Sequence, residues 1–87
     1  MNGLIANIDK VHTTELGIER IRRNLELETQ DVVNWCKQQI IKSNQHSQKG
    51  KNWYVYVDDI KITINAHSFT IITAHREKIK EIIRGKP

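Results

Sequence analysis

Apolar side chains change their spacing near Trp53, and the change separates a helical first half from a strand-rich second half. Leu4, Ile5, Ile8 and Val11 recur at helical intervals and predict a short amphipathic helix over about 3–10. His12-Thr13-Thr14-Glu15 interrupts that pattern and opens another helix. A threonine hydroxyl there accepts from the unpaired amides of a first turn, and Glu15 suits the positive end of the helix dipole. The second helix is therefore predicted over about 14–25, with Leu16 or Ile18, Ile21 and Leu25 inward and Arg20, Arg22 and Arg23 on other faces. Gly17 weakens this helix, which implies that another element comes close there. Glu28-Thr29-Gln30-Asp31 signals a third start, with Thr29 as the expected cap. The third helix, over about 29–42, turns Val32, Val33, Cys36 and Ile40 inward, with Trp35 beside that stripe. The stretch from Ser43 to Asn52 is polar, contains Gly50 and has no period, so it reads as a loop.

From Trp53 the period becomes two. Trp53, Val55 and Val57, then Ile60, Ile62 and Ile64, then Phe69 and Ile71 alternate with polar or tyrosine positions, predicting strands over about 53–58, 60–65 and 68–74. Tight turns at Asp58-Asp59 and Ala66-His67 pair Val57 with Ile60, Val55 with Ile62 and Trp53 with Ile64, then Ile64 with Phe69 and Ile62 with Ile71. Every apolar side chain then shares one face, and a slip of one residue would reverse a whole strand. A longer loop of the same parity keeps this facing. After His75 a helical pattern returns, with Ile79, Ile82 and Ile83 opposed by Arg76, Lys78, Lys80 and Arg84, and it predicts a basic helix over about 75–84. The expected fold class is α+β, with N-terminal helices packed on a three-stranded antiparallel meander and a basic C-terminal helix, all in a single domain over 1–87.

The chain has 87 residues, and a domain of this size buries roughly 60% of its unfolded surface. One thin core is expected, and a homodimer contact is one source of further burial. No apolar run approaches the ~18 residues of a membrane span, and Met1-Asn2-Gly3-Leu4 lacks the pattern of a signal peptide, so a cytoplasmic protein with no membrane partner is expected. Cys36, the single cysteine, faces the core of its helix and reads as a small buried hydrophobe. The four histidines have no metal-ligand spacing, and no Gly-rich phosphate loop or nucleophile elbow occurs, so no metal and no cofactor are expected.

Net charge is +4, unevenly spread. Residues 1–41 carry 5 basic and 6 acidic groups, whereas 42–51 hold Lys42, Lys49 and Lys51 without an acid, and 74–87 hold 5 basic and 2 acidic groups. That concentration suits a polyanion. The meander also lines up Tyr54, Thr63 and Thr70, with Tyr56 beside Lys61 and Asn65 beside Ser68, on the face away from the helices. A sheet face covered by helices is apolar, so this one meets solvent or a ligand. RNA is the leading partner on this reading, with Tyr54, Tyr56, Lys61, Thr63, Thr70, Arg76 and Lys80 as contact residues.

A second reading is a metal-independent ribonuclease, in which His75 moves a proton, Arg76 stabilises the phosphorane and Tyr54 or Tyr56 assists. A third is a protein-interaction or dimerisation domain, in which Trp35, Trp53 or the tyrosine row is covered by a partner chain. His12 is expected to cap or orient its helix junction. The pair of helices over 14–42 has the outline of a helix-turn-helix, but its second helix opens Gln30-Asp31, and an acid there repels a phosphate backbone.

The segments His12-Thr13-Thr14-Glu15-Leu16-Gly17, Arg20-Ile21-Arg22-Arg23-Asn24-Leu25, Asp31-Val32-Val33-Asn34-Trp35-Cys36-Lys37, Gly50-Lys51-Asn52-Trp53-Tyr54-Val55 and Ile62 to His75 resemble the small bacterial domain-of-unknown-function family DUF3781. That resemblance spans nearly the whole chain and implies no particular chemistry. In architecture, residues of about 53–84 are also similar to RelE-like and barnase-like RNase toxins, through the meander and Ala74-His75-Arg76 at its end. The order of elements differs, because this chain begins with helices where the RelE type begins with a strand.

Overall fold

The computed structural model describes residues 3–76. Its elements are α1 (Gly3–Ala6), a 3-10 turn (Ile8–Lys10), α2 (Glu15–Leu25), α3 (Val32–Lys42), β1 (Gln45–Lys49), β2 (Asn52–Val57), β3 (Ile60–Asn65) and β4 (Ile71–Arg76). The strands form one antiparallel sheet in the order β1-β2-β3-β4, and the helices cover one of its faces. The α+β class is as expected from the sequence.

Local chemistry sets the helix limits. The predicted first helix divides at Asn7, whose side-chain amide donates to Gly3 O at 2.7 Å, and a 3-10 turn follows. Thr14 caps α2 by accepting from Gly17 N at 3.0 Å. At the other end Glu26 takes a left-handed φ of 55°, and Leu27 N bonds back to Arg22 O at 3.0 Å, which satisfies a final-turn carbonyl. The cap of α3 is Asp31, which accepts from Asn34 N at 3.1 Å, where Thr29 was expected. Thr29 instead accepts from Asp31 N at 3.2 Å and holds the cap residue itself.

The core is a single cluster: Leu4, Val11, Ile21, Leu25, Val32, Cys36 and Ile40 from the helical half meet Val55, Ile62, Ile64, Ile71 and Ala74 from the sheet. Each buried Leu or Ile contributes roughly 1.5–3 kcal/mol relative to exposure. Ile18, not Leu16, belongs to this contact, and Leu16 is 70% exposed. Trp35 and Trp53 pack against the cluster from its margin. The close approach expected at Gly17 is that of Thr13, whose side chain occupies the space a Cβ would need. Thr13 is held there because its hydroxyl donates to Ile71 O at 2.9 Å, tying α2 to the edge of β4.

The β2–β3 hairpin has the predicted register: Trp53 faces Ile64, Val55 faces Ile62 and Val57 faces Ile60, joined through Asp58-Asp59. Three expectations are corrected. The polar stretch read as a loop contains β1, which pairs His46 with Val55 and Ser47 with Tyr54. An edge strand of this kind gains its place from backbone pairing and carries almost no apolar pattern to announce it.

The last strand runs from 71 to 76, not 68 to 74. The tight Ala66-His67 turn gives way to a wider loop in which Asn65 Oδ1 accepts from His67 N and Ser68 N, Phe69 N donates to Asn65 O at 2.9 Å, and Phe69 has a φ of 60°. Ile64 therefore faces Ile71, and the register then shifts so that Thr63 faces Thr73 and Ile62 faces Ala74. Ile72 is the extra residue of this bulge and is 47% exposed. Finally, His75 and Arg76 belong to β4, so the predicted basic helix does not begin at 75; its remainder lies outside the described residues.

Candidate functional site

Strand pairing organises the side of the sheet away from the helices into rows. Gln45, Tyr56, Lys61 and His75 form one row, and Ser47, Tyr54, Thr63 and Thr73 the next. Lys49, Asn52 and Asn65 form a third, and Asn65 N donates to Thr70 O at 2.8 Å at its end. No acidic residue stands in any of these rows. The alternation of β2 and β3 puts their apolar partners on the core side, which leaves tyrosine, hydroxyl, amide and cationic groups here.

Lys49, Tyr54, Tyr56 and Lys61 line a shallow depression on this face. The Lys61 ammonium lies 5.1 Å from the centroid of the Tyr54 ring and 5.9 Å from that of Tyr56, within cation–π range. Tyr54 Oη accepts from Asn52 Nδ2 at 3.3 Å, which limits rotation of the ring. Tyr56 is 37% exposed. The basic run expected to be a loop borders the same face, because Lys49 ends β1 on it.

Of the expected contact residues, Tyr54, Tyr56, Lys61 and Thr63 are together on this face. Thr63 is covered by its neighbours, at 7% exposed, and its cross-strand partner is Thr73. Thr70 does not join the Tyr54–Thr63 row, since the wider loop moves it to the sheet's end, where its hydroxyl lies 3.2 Å from His12 Nε2. Arg76 is displaced as well. Successive strand residues point to opposite faces, so His75 and Arg76 diverge, and Arg76 pairs with Asp59 at 3.0 Å. The proposed catalytic trio His75, Arg76 and Tyr54 therefore does not converge. Lys80 lies outside the described residues.

A family model described as "Protein of unknown function (DUF3781)" matches residues 5–75. The chain belongs to that family. Comparison with curated proteins and with solved structures returns no match, and the likeness to RelE-like and barnase-like toxins gains no support from it. The DUF3781 fold, as seen here, is thus a four-stranded antiparallel sheet with helices on one side and a polar face on the other.

Two features of this DUF3781 protein had no clear sequence signal. Thr73 and Ser47 enter the face only through the β4 bulge and the β1 pairing. His12 meets Thr70 across 58 residues of sequence. Among the described residues no group of three or more His, Cys, Asp or Glu is placed to hold a metal ion, and no helix is long and apolar enough to cross a membrane. Cys36 is no candidate nucleophile: burial pushes its thiol up to about 12, so the reactive thiolate is scarce near neutral pH.

Proposed function

We propose that this protein binds single-stranded RNA on the polar face of its sheet. The observation that carries this reading is the Tyr54–Lys61–Tyr56 grouping, in which two rings and an ammonium share one shallow depression with Lys49. Proteins that hold single strands combine aromatic surfaces for base stacking with cations along the backbone path. Tyr54 and Tyr56 are two residues apart on one strand, roughly 7 Å, so successive splayed bases can each meet a ring. The absence of acid from the three rows removes the charge that would repel phosphates. A duplex, with its bases stacked inside, gains little from exposed rings, which favours single strands as ligand.

The test is fluorescence anisotropy with a labelled single-stranded RNA over a salt series. Binding should weaken linearly in log–log form as salt rises. Tyr54→Ala should weaken it about 5- to 150-fold, from the loss of roughly 1–3 kcal/mol of stacking. Lys61→Gln should lower the salt slope by about one. A Tyr54→Ala protein that binds as tightly as the unaltered one would refute the stacking surface, and equal binding of heparin would identify a general polyanion site.

A further inference from the structure

The structure holds a second group of reactive side chains, at the end of the sheet where the third polar row meets the junction before α2. His12 pairs with Thr70 there as a fifth chain beside β4, with His12 N donating to Phe69 O at 3.1 Å and Ile71 N to His12 O at 2.7 Å. The imidazole is oriented from both sides. Its Nδ1 lies 2.8 Å from Lys10 O, and a carbonyl only accepts, so Nδ1 carries the proton. In the neutral ring Nε2 is then an acceptor, and it faces the Thr70 hydroxyl 3.2 Å away. Ser68 Oγ lies 2.8 Å from Thr70 Oγ1 and 3.2 Å from Asn65 Oδ1.

A basic nitrogen aimed at a hydroxyl, with the ring held in one tautomer by a third group, is the arrangement of a general base. Two further observations set this group apart from an ordinary turn contact. Phe69, between the two hydroxyl residues, is a bulky side chain in the left-handed region, at φ 60°, and backbone of that kind concentrates at functional sites. The Lys10 ammonium lies 5.9 Å from the centroid of the Phe69 ring, which brings a cation to the same turn. Thr70 also has a second partner. If its hydroxyl turns to Ser68, His12 Nε2 is released without leaving Thr70 unsatisfied.

We infer that His12 is the general base of an RNA-cleaving site, with RNA bearing a free 2′-hydroxyl as substrate. This rests on the proposal that the adjoining face holds RNA. A ribose entering from the Lys49–Asn52–Asn65 row places its 2′-hydroxyl where the Thr70 hydroxyl now sits. His12 Nε2 takes the 2′-hydroxyl proton, the 2′-oxygen forms a bond to the neighbouring phosphorus, and the bond from phosphorus to the 5′-oxygen breaks. The departing 5′-oxygen takes a proton from water, and His12 returns its own proton to solvent. The products are a 2′,3′-cyclic phosphate and a 5′-hydroxyl, and Lys10 offsets the charge that gathers on the phosphorane.

The experiment follows binding by anisotropy and cleavage by gel and mass spectrometry, in the presence of EDTA, on one labelled single-stranded RNA. The expected result is a cyclic-phosphate product that is absent when the RNA is 2′-O-methylated. His12→Asn should slow cleavage on the order of 100-fold or more while binding persists. Thr70→Val removes the same contact but leaves the base, so it should slow cleavage far less than His12→Asn does; a purely structural role for His12 would make both variants alike. RNA that is bound yet left intact overturns this inference and leaves the binding proposal standing, as does cleavage that His12→Asn does not slow. RNA that is not bound at all overturns both.

Discussion

The contact between Gly17 and Thr13 makes a quantitative test of how α2 is fastened to the sheet. Glycine early in a helix is normally improved by alanine, by up to ~1 kcal/mol. Here a Cβ on Gly17 would overlap the Thr13 hydroxyl and lie 3.2 and 3.3 Å from Thr13 Cβ and Cγ2. Thr13 is branched and short, so it cannot bend aside without giving up its bond to Ile71 O. Losing that bond and leaving a part-buried carbonyl unsatisfied costs roughly 1–3 kcal/mol. The expected net effect of Gly17→Ala is destabilisation by about 1–2 kcal/mol, which lowers the melting temperature by roughly 4–16 °C in a domain of this size. Urea unfolding measures it, and a double-mutant cycle isolates the cause. In a Thr13→Ala background, where the hydroxyl and Cγ2 are gone, Gly17→Ala should become neutral or stabilising. A Gly17→Ala protein that is more stable than the unaltered one would refute the packing argument.

Three further outcomes follow from the structure. Cys36 should resist iodoacetamide while the protein is folded; its thiol is raised by burial from 9.0 to about 12, so the folded state binds this proton more tightly than the unfolded one. Stability from this source is complete below pH ~9 and should fall by up to about 1.4 kcal/mol per pH unit between roughly pH 9 and 12, a slope that Cys36→Ala lacks in denaturant titrations at several pH values. Asp31→Ala should cost about 1 kcal/mol by removing the cap of α3, and more than Thr29→Ala, as urea midpoints would show. Asp59→Asn breaks the pair with Arg76, whose partners are 38% and 44% exposed, and should change stability by less than ~1 kcal/mol, with the difference shrinking in high salt.

The split into a helical first half and a strand-rich second half, the inward stripes of α2 and α3 and the β2–β3 register were legible in the sequence. Each depends on spacing along a single segment or on a two-residue turn at Asp58-Asp59, and such local patterns dictate which side of an element is apolar. Tyr54, Tyr56 and Lys61 were readable for the same reason, since they occupy the alternate positions of those two strands. Tertiary structure alone decided the rest. The strand β1 is held by backbone pairing to β2 rather than by an apolar pattern, so its composition hid it. The loop after Asn65 and the extra residue Ile72 moved Thr70 out of the tyrosine row and brought Thr73 into it, because side-chain bonds of Asn65 and the left-handed Phe69 set the turn. The meeting of His12 with Thr70 is further removed from any local rule. It exists because the segment before α2 pairs with the edge beyond β4, an arrangement that depends on how the helical half packs against the finished sheet.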